Sequence, residues 1–89
     1  MVCVSEDCEE PYLITPERAF GKVIRCLREK RGWSQEELGE AMGKSRNYVG
    51  MIEAGQQSPT LRSICHFAEA LKIDMWVLMK KVDKRRRRQ

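Results

Sequence analysis

The stretch that decides the fold is residues 34–61, SQEELGEAMGKSRNYVGMIEAGQQSPTL. Ser34 and Glu37 have the spacing of a capping box, in which each side chain binds the other residue's backbone amide at the start of a helix. Gly43 can end this helix, because glycine adopts the left-handed conformation without steric cost. The pattern therefore predicts a short helix that begins after Ser34 and ends at Gly43.

A second short helix follows this one almost at once. Only Lys44 separates the end of the first helix from Ser45, which is a favourable N-cap residue. Val49 and Ile52 have the spacing of inward-facing positions along a helix that runs to Ala54. Two short helices joined by so tight a turn form a helix-turn-helix, whose second helix is free to enter a groove of its target.

Three further helices are predicted around this pair. Thr15 and Pro16 are typical of an N-cap and a first helical residue, and helical spacing continues to about Lys30. A fourth helix begins within residues 58–60, and a short fifth helix begins at Asp74. The chain is thus expected to be all-α. The apolar residues at helical spacing are Phe20, Val23, Ile24 and Leu27 in the first helix and Leu61, Ile64, Ala68 and Leu71 in the fourth.

Charge is distributed unevenly along the 89 residues, whose formal net charge is +4. Residues 80–89 carry +6 and the acidic start carries −4, while residues 11–79 hold ten basic and eight acidic residues. The basic balance belongs to the end of the chain and does not by itself indicate nucleic-acid binding. We expect a flexible acidic arm (1–14), one domain (15–83) and a disordered basic tail (84–89).

The cysteines do not have the spacing of a metal site. Cys3, Cys8, Cys26 and Cys65 lack a paired motif, and the chain has one histidine, so we expect four reduced thiols and no bound metal or cofactor. No apolar run is long enough to span a bilayer, and the acidic start does not resemble a secretory signal. The expected protein is cytoplasmic and has no membrane partner.

The same motifs carry a resemblance to a known family. From about Phe20 to Met79, roughly two thirds of the chain, the sequence resembles the Cro and phage-repressor family of helix-turn-helix domains. The joint match of caps, glycines and inward positions is more specific than any one of them. The resemblance implies the five-helix lambda-repressor-like fold. It also implies a transcriptional regulator, a repressor or a controller protein, that binds an inverted repeat in double-stranded DNA as a homodimer.

The positions that face DNA bases in that family fall on the second helix of the motif. They correspond here to Arg46, Asn47 and Met51, with Tyr48 and Gly50 beside them. Arginine can donate two hydrogen bonds to guanine, asparagine can pair with adenine in the same way, and methionine offers apolar contact to a thymine methyl group. Gly50 leaves space either for DNA or for the neighbouring helix.

Phosphate contacts and one ion pair are implied in the same way. Gln35, Lys44 and Ser45 match phosphate-contacting positions, and the partial positive charge at a helix N-terminus favours an anion there. Arg28 and Glu53 match an ion pair that ties the first helix to the third. Glu53 as a solvated helix residue is the alternative interpretation, since a surface ion pair contributes only about 0–1 kcal/mol.

The fifth helix has more apolar residues than one core-facing stripe requires. The surplus, Met75, Trp76 and Met79, would leave an exposed apolar patch, so we expect a homodimer interface there rather than a monomer with a well-packed last helix. The alternative function is a protein-interaction module of the antitoxin or co-activator type. No pair of catalytic groups has workable spacing, so neither an enzyme nor a small-molecule ligand is expected.

Overall fold

Residues 14–87 are described by the structure, which is a computed structural model. All the regular elements in this range are helices, in the predicted order. They are α1 (Pro16–Lys30), α2 (Gln35–Met42), α3 (Arg46–Glu53), α4 (Leu61–Ala70) and α5 (Met75–Arg87).

Local hydrogen bonds determine where the first four helices begin. The hydroxyl groups of Thr15, Ser34, Ser45 and Thr60 each accept from the backbone N–H three residues later, at 3.1 to 3.2 Å. The capping box predicted at α2 is present, because the Ser34 amide also donates to the Glu37 carboxylate at 2.7 Å. Each such cap stabilises its helix by about 0.5–2 kcal/mol. The helix starts therefore follow from residues within one turn of them.

The hydrophobic core is built around Phe67 of α4. Its ring is fully buried and meets the edge of Phe20 at 5.5 Å and the face of Tyr48 at 6.2 Å between centroids. The predicted inward positions of α3, Val49 and Ile52, are also fully buried. The remaining buried apolar residues are Ala19, Val23, Ile24, Leu38, Ala68, Leu71, Leu78 and Val82.

Not every residue at helical spacing faces this core. Leu61, the first residue of α4, has 74% of its surface exposed, although its spacing predicts an inward position. The first turn of α4 projects past the core, whereas Phe67, which the sequence analysis does not single out, reaches its centre. Helical periodicity identified the correct face of α4 but not how far along the helix the core extends.

Two glycines allow backbone segments to cross closely. A Cβ atom added at Gly39 would lie 2.7 Å from the carbonyl oxygen of Lys44, so α2 and the turn after it can meet only over a glycine. At Gly21 of α1 an added Cβ would overlap the carbonyl oxygens of Ile52 and Glu53. Gly21 escaped the sequence analysis, and it brings the backbones of α1 and α3 into contact.

The last helix is longer than the short one predicted. α5 continues to Arg87, so residues 84–87 are helical and not part of a disordered tail. Buried Val82 holds this part of α5 against the core. On the exposed side, Asp83 and Arg87, one helical turn apart, form an ion pair of 3.2 Å. Basic residues also favour the negative end of the helix dipole. These contacts stabilise a helix where the charge run alone indicates disorder.

Some predictions fall outside the described range. They concern residues 1–13, with Cys3 and Cys8, and the final residues 88–89. Inside the range, Ile14 packs against the core. Cys26 and Cys65 are free thiols and are half-buried.

Replacing Phe67 by alanine is expected to destabilise the domain by about 3–5 kcal/mol, since the substitution removes a large side chain from the centre of the core. Leu61→Ala on the same helix is the matched control and should stay within about 0.5 kcal/mol of the parent, because surface changes have small effects. The free energy of unfolding in urea measures both. Equal effects would contradict this account of the core.

Candidate nucleic-acid interface

The outer face of α3 carries the predicted base-contacting residues Arg46, Asn47 and Met51. All of them are exposed, while Val49 and Ile52 anchor the inner face of the same helix. The Ser45 hydroxyl accepts from the Tyr48 amide at 3.1 Å. The amides of Arg46 and Asn47 precede the first intrahelical hydrogen bond and have no partner within the helix. α3 thus has a rigid inner face and an outer face free to contact a ligand.

Tyr48 differs from these residues because its ring packs sideways into the protein. It is half-buried and stacks on Phe67 with an interplanar angle of 18°. The ammonium group of Lys44 lies 5.3 Å from the centre of the Tyr48 ring, in a cation–π arrangement. The structure therefore places Lys44 and Tyr48 together at the start of α3, and Phe67 covers one face of the Tyr48 ring.

The N-terminus of α2 lies beside the outer face of α3. Gln35 is the first residue of α2, and its side-chain amide would lie 3.5 Å from a Cβ atom added at Gly50. That distance is an ordinary van der Waals contact, so α2 does not require glycine at position 50. Packing between α2 and α3 therefore does not account for this glycine.

A buried ion pair joins α3 to α1. Arg28 donates from Nε to one oxygen of Glu53 at 2.7 Å and from Nη2 to the other at 3.1 Å. The two side chains are only 11% and 4% exposed, so Glu53 is not a solvated helix residue. A third Arg28 nitrogen donates to the Trp33 carbonyl at 2.7 Å. The hydrogen bonds that Arg28 donates to Glu53 raise the pKa of Arg28 and outweigh desolvation, which lowers it. The guanidinium therefore stays charged.

The same carboxylate also binds α2. The side-chain nitrogen of Gln35 donates to Glu53 at 3.1 Å, so one acidic group holds α1, α2 and α3 together. The sequence analysis assigns Gln35 to phosphate and does not foresee this contact. The side-chain nitrogen of Gln35 has a second hydrogen beyond the one given to Glu53. That hydrogen and the backbone amides of Gln35 and Glu36 are the donors left to meet an anion at the start of α2.

The predicted dimer residues do not all lie on one surface. Trp76 is 67% exposed and Met79 is also exposed, whereas Met75 is half-buried and packs against the core. The ammonium group of Lys80 lies 5.7 Å from the Trp76 ring centre. The surplus apolar surface of α5 therefore centres on Trp76 and Met79.

Residues 14–87 contain neither a metal-binding cluster nor a membrane-spanning helix. No group of three or more histidine, cysteine or acidic side chains is placed to hold a metal ion in that range. Nor is any helix of this part of the chain long and apolar enough to cross a membrane.

Comparison with known proteins identifies the class. The helix-turn-helix family model matches residues 24–75, so the chain belongs to the helix-turn-helix family, of the Cro and phage-repressor type. This confirms the resemblance and the fold predicted from sequence.

Four individual proteins illustrate the similarity. The transcriptional regulator SutR of Escherichia coli is 36% identical over 56 residues, which cover 63% of this chain and 32% of SutR, so the chain spans about a third of that relative. The ImmF control region 10 kDa protein of Bacillus phage phi105 is 30% identical over 61 residues, 68% of each chain.

The two others are solved structures. The restriction-modification controller protein C.AhdI of Aeromonas hydrophila shares 41% identity at a TM-score of 0.66, over 68% of this chain and 92% of its own. C.Esp1396I, a controller protein solved as a tetramer with its 35 base-pair operator, has a TM-score of 0.74 over 82% of this chain and 96% of its own. At 22% identity the likeness to C.Esp1396I concerns the fold alone.

Glu53→Ala is expected to destabilise the protein by about 3–5 kcal/mol, because removing one member of a buried ion pair leaves the Arg28 charge uncompensated. Glu29→Ala is the matched control. This change breaks the Arg25–Glu29 ion pair within α1, whose side chains are 65% and 55% exposed. It should lower the free energy of unfolding by about 0–1 kcal/mol only. Urea unfolding distinguishes the two, and similar losses would refute the architectural role of Glu53.

Proposed function

We propose that this protein is a sequence-specific transcriptional regulator, a repressor or a controller protein, that binds an inverted repeat in double-stranded DNA as a homodimer. The observation that carries the proposal is the geometry of α3. Its N-terminal residues Arg46 and Asn47 are exposed, while buried residues and the Glu53 carboxylate fix the helix from behind. A helix held in this way can enter the major groove, where its first residues meet base edges.

Base recognition is assigned to the outer face of α3. Arg46 pairs with a guanine and Asn47 with an adenine, since their side chains match the donor and acceptor pattern of those bases. Met51 contacts a thymine methyl group. Gly50 supports this assignment, because the absence of a side chain lets the DNA approach the helix closely. Tyr48 contributes through its exposed edge only, since its ring stacks on Phe67.

Contact with the phosphate backbone of the duplex is assigned to the N-termini of α2 and α3. The first amides of α2, at Gln35, and those of α3, after Ser45, bind phosphates on either side of the groove. Lys44 adds a positive charge at the turn between these helices. Such contacts set the register of α3 on the duplex and carry no sequence information themselves.

Two copies are proposed to associate through Trp76 and Met79 of α5, with Met75 beneath them. An exposed apolar cluster is typical of a protein interface, and a two-fold axis there would place two α3 helices about 34–36 Å apart, one turn of DNA. The tetramer of C.Esp1396I on its operator supports oligomeric binding by this fold. DNA binding of this kind would take place in the cytoplasm and needs no cofactor.

Arg46→Ala is expected to lose discrimination at one base pair of each half-site by about 1–3 kcal/mol, or about 5- to 150-fold. Lys22→Ala, which removes one exposed charge from α1, is the matched control and should leave the preference unchanged. Selection of bound sites from random duplexes measures both.

Two outcomes of this selection would contradict the proposal. If the parent protein enriches no inverted repeat, the proposed DNA-binding function is refuted and a protein-interaction module is favoured instead. If Arg46→Ala enriches the same repeat as the parent, the base-contact assignment fails while DNA binding stands.

Trp76→Ala is expected to raise the dimer dissociation constant by about 30-fold or more, as truncation of a central interface tryptophan costs about 2 kcal/mol or more. Met51→Ala is the matched control: it removes another exposed apolar side chain, on α3 instead of α5, and should not change the dimer dissociation constant. Sedimentation velocity over a concentration series, without DNA, reports both variants. A parent protein that stays monomeric at all concentrations would refute the interface.

A further inference from the structure

An open groove of about 350 Å³ lies between α1 and α5, and its lining includes none of the residues assigned to DNA. The two helices run in the same direction: Met79 and Val82 lie near the start of α1, and the end of α5 lies near the end of α1. We call this feature the basic groove. Its floor includes Leu27 and half-buried Cys26, and its rim consists of Lys30, Lys81, Lys84 and Arg85.

The four cations of the rim are uncompensated within residues 14–87. None of them forms an ion pair there, whereas basic residues nearby on the same helices do, in the Arg25–Glu29 and Asp83–Arg87 pairs. Four like charges around one cavity repel each other and create a positive potential inside it. The apolar floor adds surface that a chain segment can cover. These properties fit an acidic peptide with some apolar character.

We propose that the acidic segment of this same chain, residues 6–10, binds in the basic groove. The segment reads EDCEE, so its Glu6, Asp7, Glu9 and Glu10 match the four rim cations in number and are opposite in charge. The bound segment neutralises the rim and so reduces non-specific attraction of this end of the protein to phosphate backbones. This proposal does not depend on the function assigned to α3.

The chain is long enough for this contact. Ile14 packs against the core just before α1, and Cys8 precedes it by six residues, which can span about 20 Å when extended. Cys26 lies ten residues beyond Pro16, about 15 Å along the helix. Residues 6–10 can therefore lie along the groove with Cys8 close to Cys26.

The two cysteines allow a direct test in the full chain. In a Cys3→Ser/Cys65→Ser variant, we expect mild oxidation of dilute protein to form an intramolecular Cys8–Cys26 disulfide, detected by mass after alkylation of the remaining thiols. Formation should be several-fold faster in about 0.01 M salt than in about 1 M salt, where the Debye length falls from about 30 to about 3 Å. Glu6→Gln/Glu9→Gln/Glu10→Gln and Lys81→Gln/Lys84→Gln changes should each remove that salt dependence.

The matched control pair is Cys8 with Cys65, in a Cys3→Ser/Cys26→Ser variant, because Cys65 is also half-buried but lies on α4. Desolvation and the nearby Glu69 carboxylate raise the pKa of the Cys65 thiol, so each rate is divided by the rate of alkylation with a neutral reagent. A normalised Cys8–Cys26 rate that exceeds the control several-fold supports the proposal.

Equal normalised rates for the two pairs at low salt would overturn it. If the Lys81→Gln/Lys84→Gln variant then also binds a random duplex more weakly, the groove is assigned to DNA phosphates instead. A spin label at Cys8, in a variant with the other three cysteines replaced by serine, gives an independent measurement: it should broaden the amide signals of residues 26–30 and 81–85 and not those of 66–70.

Discussion

The position of α3 depends on one carboxylate, that of Glu53. It accepts from Arg28 of α1 and from Gln35 of α2 while belonging to α3, so it fixes three helices at a single point. A buried charge of this kind tolerates little displacement, because any lost hydrogen bond leaves part of its desolvation cost unpaid. Gly21 brings the backbone of α1 to the same place. The orientation of the outer face of α3 is therefore set from its C-terminal end, opposite to Arg46 and Asn47 at its N-terminal end.

Sequence reasoning succeeded where the controlling contacts are local. The caps at Ser34 and Ser45 act within one turn, so their residue types and spacing were sufficient to place α2 and α3. Gly21 and the Gln35–Glu53 hydrogen bond were missed because they join residues far apart in the chain, which a single sequence without the fold does not bring together. The length of α5 was wrong for a related reason: a run of arginines indicates disorder unless packing on another helix is known. The predicted base-contacting and phosphate-contacting roles remain predictions.

The sign and density of charge differ from one helix to the next. α2 carries acidic residues in its first turn, α3 begins with Arg46 beside Lys44, and the end of α5 is strongly basic. A domain with so little net charge in its central part has weak long-range attraction for a polyanion, so affinity must come from short-range contacts whose geometry is exact to within hydrogen-bond distances. The need for precise short-range contacts accounts for the buried Arg28–Glu53 ion pair, which holds α3 in a fixed orientation.

The two faces of α3 have different evolutionary freedom. Arg46, Asn47 and Met51 lie outside the buried core, so exchanging them should cost little folding stability. Under the proposed base contacts, a lineage would acquire a new target by changing these residues. Tyr48 lacks this freedom, because its ring is part of the aromatic stack on Phe67. Divergence among descendants of this chain should therefore accumulate at Arg46, Asn47 and Met51 and be slower at Tyr48, where packing on Phe67 also constrains the side chain.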